Sequence, residues 1–204
     1  TQAFASFLTA LYLLGDGATG NRYLAEIDKI PVLIEGAINN NEGCISRLAS
    51  DLAIERFIFL GSGAMKGLAD ESALKMTEMA LCASSSFHVL EFRHGPIAAL
   101  DKSGMVVVFP SESELPYLPK LIRDIAATGA AVLVVATPSM AEALGDSDEG
   151  GDYQVFVSPG ELPELLRPSI FACAGHLLGY WRSNAAQLNP DLPRNLERTV
   201  LLGA

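Results

Sequence analysis

A parallel β-sheet covered by helices on both faces is the fold class this sequence predicts, and three observations carry the prediction. Short apolar runs of strand length recur along the chain, the stretches between them have helical periodicity, and a glycine-rich loop directly follows the first run. The runs are Arg56–Leu60, closed by Gly61, then Met105–Phe109, Ala131–Ala136 and Tyr153–Val157, with Val89–Phe92 as a further short strand. Apolar, β-branched runs of this kind suit a sheet buried on both sides. Helical periods cover 64–82, 115–128 and 162–186, the last with Pro163 near its start and Pro168 in the next turn. Upstream, residues 3–14 read as a helix closed by Gly15-Asp16-Gly17. Residues 21–52 read as two or three helices divided at Pro31 and Asn39-Asn40-Asn41. From Asn189 onward the chain reads as an extended tail with Pro190 and Pro193. The expectation is a three-layer α/β sandwich around a mostly parallel five-stranded sheet. It divides into a helical segment 1–45, a sheet domain 46–188 and a tail 189–204.

Half of the 204 residues are hydrophobic, enough for one packed domain, and the formal charge is −10. That acidity disfavours nucleic acid and anionic membrane as main partners. It is compatible with a phosphorylated ligand held locally by backbone N–H groups. No apolar run approaches the ~20 residues of a membrane span, and no signal peptide is seen. Cys44, Cys82 and Cys173 are odd in number and lack metal-ligand spacing, which fits reduced thiols in a cytoplasmic protein. No metal is expected, and no cofactor. The chain opens at Thr1 inside a helical pattern, so a fragment of a longer protein is expected.

Right-handed crossovers place every strand's C-terminal end along one edge of such a sheet, where ligands bind. Chemistry is therefore expected at 61–67, 110–114 and 137–139. In Gly61-Ser62-Gly63-Ala64-Met65-Lys66-Gly67 the glycines permit a tight turn, and the helix that follows presents N–H groups to an anion. The spacing is GxGxxxG, not the GxGxxG of dinucleotide sites. The loop reads as a sugar or phosphate contact or as a structural turn. Glu71, Lys75 and Glu78 fall at i, i+4 and i+7 on one helical face. They are either a solvated charged face with ordinary ion pairs or a site in which a carboxylate acts as general base. Ser84-Ser85-Ser86 can donate to a sugar or phosphate, or cap and turn. His94, before Gly95-Pro96, can exchange a proton near neutral pH or be satisfied within its turn, whereas His88 and His176 read as structural.

Glu71-Ser-Ala-Leu-Lys75-Met-Thr-Glu78, with His94-Gly95-Pro96 beginning sixteen residues after Glu78, resembles the second sugar isomerase (SIS) domain of the isomerising glucosamine-6-phosphate synthases. It is also similar to aminosugar-phosphate deaminases and sugar-phosphate isomerases. Pro193-Arg194-Asn195-Leu196 is similar to the family's closing segment, and the likeness spans nearly the whole chain. The resemblance implies a flavodoxin-like fold and aldose–ketose isomerisation of a hexose or aminosugar 6-phosphate. It implies that Glu78 shuttles a proton between C1 and C2. His94 would help open the ring across a homodimer boundary, and Glu71 and Lys75 would support the site. Gly61, Ser62, Gly63, Ser84, Ser85, Ser111, Ser113 and Arg198 complete the expected substrate contacts.

Two departures from the family bear on mechanism. Where the family has a lysine that acts through its amine, this chain has Arg198, which stays protonated and forms no Schiff base. Where phosphate-gripping SIS domains have Ser-Gln-Ser-Gly, this chain has Ser111-Glu112-Ser113-Glu114. Two carboxylates beside a phosphate are unfavourable. In the synthases the phosphate sits in a preceding SIS domain, so such a domain is expected here as well. Ammonia transfer or deamination at C2 is the alternative enzymatic reading, and a non-catalytic sugar-phosphate sensor is the alternative outside enzymes.

Overall fold

Valine, isoleucine and phenylalanine fill the strands because helices or turns cover both faces of the sheet. In the computed structural model of the chain, residues 23, 26–145 and 153–196 are described. Strands β1 (Arg56–Gly61), β2 (Ala83–Phe87), β3 (Gly104–Phe109), β4 (Ala131–Ala136) and β5 (Gln154–Val157) are all parallel, in the order β2-β1-β3-β4-β5. Helices α1 (Ile30–Ser50), α2 (Ala64–Ala80) and α5 (Pro168–Ala185) cover Phe57, Phe59, Met105, Val107, Phe109, Leu133 and Val135. Helix α3 (Leu118–Ala126) and the segment from Val89 to Leu100 cover Ile58, Leu60, Val106, Val108, Val132 and Val134. A short helix α4 (Pro138–Leu144) follows β4, with Thr137 capping it at the Met140 N–H.

Several elements differ from the sequence expectation, each for a physical reason. Residues 30–50 form one helix, not two or three, because Pro31 lies in the first turn, where no N–H is needed. The Asn39-Asn40-Asn41 run does not break it. Asn41 is 6% exposed, and its side-chain amide donates to the Val157 carbonyl (3.0 Å) and accepts from the Val157 N–H (3.1 Å). The second strand is Ala83–Phe87, not Val89–Phe92. Val89 and Phe92 are fully buried, three residues apart in a turn that folds over the sheet. The long C-terminal helix begins at Pro168, not Leu162, because a proline ring clashes with a helical carbonyl four residues earlier. Residues Glu164–Leu166 form a separate 3₁₀ turn. Residues 112–117 are likewise a 3₁₀ turn ahead of α3. The described part of the tail, 189–196, is turned at Asn189, which accepts the Leu192 N–H, and is not extended. The predicted helix 3–14 lies outside the described residues.

Helices α2 and α5 approach closely because glycines line their contact. A Cβ added to Gly175 would stand 2.3 Å from Ser72 Oγ, and one on Gly179 would stand 3.3 Å from Met79 Sδ and 3.6 Å from the Lys75 carbonyl. The far end of α5 is fixed by Arg182, which is 6% exposed. Its guanidinium donates to the carbonyls of Asp51 (2.7 Å) and Ile54 (2.6 Å) and lies over the Phe57 ring. At the entrance to β3, the Ser103 hydroxyl and N–H, helped by Arg56, hold the Asp101 carboxyl down to about 2.

Gly175→Ala is expected to destabilise the fold by about 1–3 kcal/mol, the cost of overpacking a tight contact. A urea midpoint unchanged by that substitution would exclude the close seam. Asp101 has a depressed folded-state value. Its contribution to stability is therefore present above the unfolded value of 3.8 and is lost as pH falls toward about 2. Asp101→Asn should flatten the decline of stability over that acid range, as measured by unfolding at stepped pH.

Candidate active site

The sheet order reverses direction at β1, whose neighbours are β2 on one side and β3 on the other. The C-terminal ends of β1 and β3 therefore flank the switch point at which open α/β sheets bind ligands. Gly61 is required there, since a Cβ would stand 2.2 Å from the Met65 carbonyl oxygen. Gly63 has a positive φ of 56° and leaves open space beside it. Ser62 Oγ accepts the Val89 N–H at 3.4 Å, tying this loop to the segment after β2.

The neighbouring loop after β3 satisfies its own donors. Glu114, 5% exposed, accepts the Ser111 N–H and the Ser111 hydroxyl, both at 3.0 Å, and Ser113 lies 3.0 Å from Ser111. This is a capping box for the 3₁₀ turn that follows. Glu112 pairs with the buried Arg167 guanidinium at 2.5 Å. The donors that would face an anion here are thus engaged by carboxylates of the chain itself. On β2, Ser84 donates to the Ala73 carbonyl and lies 2.7 Å from the Thr77 hydroxyl. Ser86 joins Lys66 and Asp70 in a three-way contact that the sequence did not suggest. Ser85 alone of the three serines stays exposed.

The charged face of α2 is a connected array. Lys75 Nζ lies 2.8 Å from Glu78 and 3.6 Å from Glu71. The hydrogen bond to Glu78 raises the Lys75 pKa above its ordinary value, with Glu71 adding to the effect, so the ammonium stays protonated. Glu78 is the more sheltered carboxylate, with 26% of its side chain exposed against 46% for Glu71. Glu78 lies in the last turn of α2, fourteen residues and about 21 Å along the axis from the helix start. It is therefore removed from the glycine loop at which the helix starts. His94 is exposed at the end of the 3₁₀ turn Glu91–His94, in the segment that packs on the opposite face of the sheet. Among the described residues no hydrogen bond or ion pair joins Glu78 to His94. Arg198 lies outside the described residues.

His176 on α5, which the sequence reads as structural, is exposed. It follows Gly175, the residue seated on Ser72, and Glu71 and Lys75 both act on its imidazole. The visible signal was Gly175-x-x-x-Gly179, small residues one helical turn apart that mark a close helix contact. A cleft of about 780 Å³ lies at the other edge of the sheet, at the N-terminal ends of β4 and β5. Its lining includes Asp51, Lys102, Arg123 and Tyr153, but none of the candidate site residues. The position of the cleft does not bear on their chemistry.

No family model matches the chain. It is 31% identical over 225 residues to glutamine–fructose-6-phosphate aminotransferase (isomerizing) of Corynebacterium glutamicum, covering 98% of this chain and 34% of that protein. The C-terminal domain of glucosamine-fructose-6-phosphate aminotransferase from Francisella tularensis superposes with a TM-score of 0.75. The identity is 22%, over 85% of this chain and 48% of that one. Glucosamine-6-phosphate deaminase of Thermotoga maritima superposes with a TM-score of 0.66 at 25% identity, over 99% of this chain and 57% of that one.

The chain belongs to the sugar isomerase (SIS) family. It spans about a third of the length of the curated relatives it matches. The five-stranded parallel sheet with helices on both sides is the SIS architecture that its structural neighbours share. No helix among the described residues is long and apolar enough to cross a membrane.

Because Glu114 closes the Ser111 loop of this SIS domain, Glu114→Ala should lower stability by about 1–2 kcal/mol, the range for losing a cap. Equal thermal midpoints for the two proteins would exclude this arrangement.

Proposed function

We propose that this chain is the C-terminal SIS half of a cytoplasmic aldose–ketose isomerase acting on a hexose or aminosugar 6-phosphate. The observation that carries the reading is the sheltered Glu78 carboxylate held by Lys75 at 2.8 Å, on the α2 face that bears the family motif. A carboxylate fixed in this way suits a general base that moves a proton from C1 to C2 or back. Lys75 orients it, and Glu71 holds the other side of the ammonium. His94 assists ring opening. It lies on the far face of the sheet from Glu78, which favours a homodimer in which His94 of one copy serves the site of the other. The engaged donors of Ser111 favour a phosphate held by a preceding SIS domain. Arg198 binds a hydroxyl or phosphate without forming an imine, while Gly61, Ser62 and Gly63, at the other end of α2 from Glu78, lie beyond the reach of one hexose phosphate bound at that carboxylate. Helix α1 (Ile30–Ser50), buried against the sheet at Ala37, Ile45 and Ala49, belongs with the SIS domain rather than with a helical lead-in, and 189–204 is the closing tail. No cofactor is required for this proton transfer.

A second reading, deamination at C2, is favoured by the glucosamine-6-phosphate deaminase whose structure matches 99% of this chain. The Corynebacterium glutamicum relative is by name a glutamine–fructose-6-phosphate aminotransferase, which also links nitrogen chemistry to a phosphosugar. Ammonia release from glucosamine 6-phosphate separates this reading from simple isomerisation.

In the longest protein that contains this chain, Glu78→Gln is expected to lower kcat by about 10²–10⁴-fold, the range for a general base, with KM little changed. Isomerase turnover that survives Glu78→Gln would overturn the assignment.

A further inference from the structure

We infer that the cleft at the N-terminal edge of the sheet is a binding site for a small organic anion with an apolar body. It is separate from the candidate active site and independent of the reading of Glu78. The cleft of about 780 Å³ lies at the N-terminal ends of β4 and β5, and a hollow of about 330 Å³ adjoins it through Leu48, Asp51 and Ala131. Its volume is in the range of small-molecule sites. Leu48, Ile54, Ala131 and Val132 supply an apolar wall. Arg47, Lys102 and Arg123 supply three cations against one carboxylate, that of Asp51. The balance is the reverse of the chain's own, with 14 lysines and arginines against 24 aspartates and glutamates.

Two acidic residues beside these cations are committed elsewhere. Asp51 accepts the Ala53 N–H at 3.0 Å. Asp101, next to Lys102, pairs with Arg56 at 2.7 Å and accepts the Ser103 hydroxyl at 2.6 Å. Arg47 and Lys102 have no carboxylate partner among the described residues, whereas Lys29, Arg56, Lys66, Lys75, Arg93 and Lys120 each have one. Arg182 adds positive charge from within. Its guanidinium, buried and without a carboxylate, is held by the carbonyls of Asp51 (2.7 Å) and Ile54 (2.6 Å), two residues of the cleft lining, and its Nε has no partner. A buried cation balanced by carbonyl dipoles alone leaves a positive field at the wall in front of it. Cations beside an apolar wall hold an aromatic phosphate or carboxylate: the guanidinium and ammonium groups take the anionic end, and the wall takes the ring.

The test is a calorimetric titration of the longest protein that contains this chain with naphthyl phosphate, naphthoate and neutral naphthol. At least one of the two anions should bind saturably, and naphthol about tenfold more weakly, the difference that contacts with two exposed cations supply. Tighter naphthyl phosphate assigns the site to phosphate esters, and tighter naphthoate assigns it to carboxylates. Arg47→Glu combined with Lys102→Glu reverses two exposed charges and should weaken the bound anion by about tenfold. Ala127→Trp, at an exposed position of the lining, should fill the cleft and abolish binding. All three positions are exposed, and an unchanged thermal midpoint reports that the fold is kept. Naphthol bound as tightly as the anions, anion binding unchanged in either variant, or no binding of either anion overturns the proposal.

Discussion

The contact between Ser72 and Gly175 is the constraint on which the rest of the candidate site depends. Two helices with ordinary side chains pack with axes 8–10 Å apart. Here the absence of a Cβ lets the α5 backbone come down onto a serine hydroxyl. That approach fixes the rotation of α2 about its own axis. With Ser72, Met76 and Ala73 turned inward, Glu71, Lys75 and Glu78 emerge together along the seam. Arg182 fixes the other end of α5 to the carbonyls that close α1 and lead into β1, so the helix cannot slide along the sheet to relieve the contact.

The site that results is unlike the usual site of a doubly wound sheet. The loops at the strand C-termini have the right topology, but their polar groups are largely matched within the chain. Glu114 engages Ser111, Glu112 engages Arg167, and Ser86 is held by Lys66 and Asp70. The connected charges of Glu71, Lys75 and Glu78 lie instead in the later turns of α2, beside the contact with α5. A domain arranged this way suits the proposed role, in which it supplies reactive side chains to a ligand whose anionic end is gripped elsewhere.

The architecture was legible in the sequence because β1, β3 and β4 are buried on both faces, and burial on both faces writes itself as uninterrupted apolar residues; the edge strand β5 still keeps Val155, Phe156 and Val157 in a row. β2 was not legible. It is an edge strand of alanine, serines and one phenylalanine, and the apolar residues just beyond it, Val89 and Phe92, serve a turn. Proline positions were seen, but their sense was ambiguous. Pro31 and Pro168 start helices where the sequence suggested interruption or continuation. Of the site, the spacing of Glu71, Lys75 and Glu78 was visible, because helical periodicity is local. The pairing of Lys75 with Glu78 rather than Glu71 and the capture of Ser111 by Glu114 were not. Each depends on side-chain rotamers or on a contact between residues distant in the chain.

Asn41 shows how far one side chain can change what a sheet does. A parallel sheet has two outer strands, and each offers backbone donors and acceptors to any passing strand. At β5 the amide of Asn41 occupies the N–H and carbonyl of Val157 from within the same molecule, as a neighbouring strand would. The two ends of the sheet are therefore inequivalent. A single buried asparagine thus makes pairing by a further strand at Val157 possible only by unmaking two hydrogen bonds already formed inside the molecule.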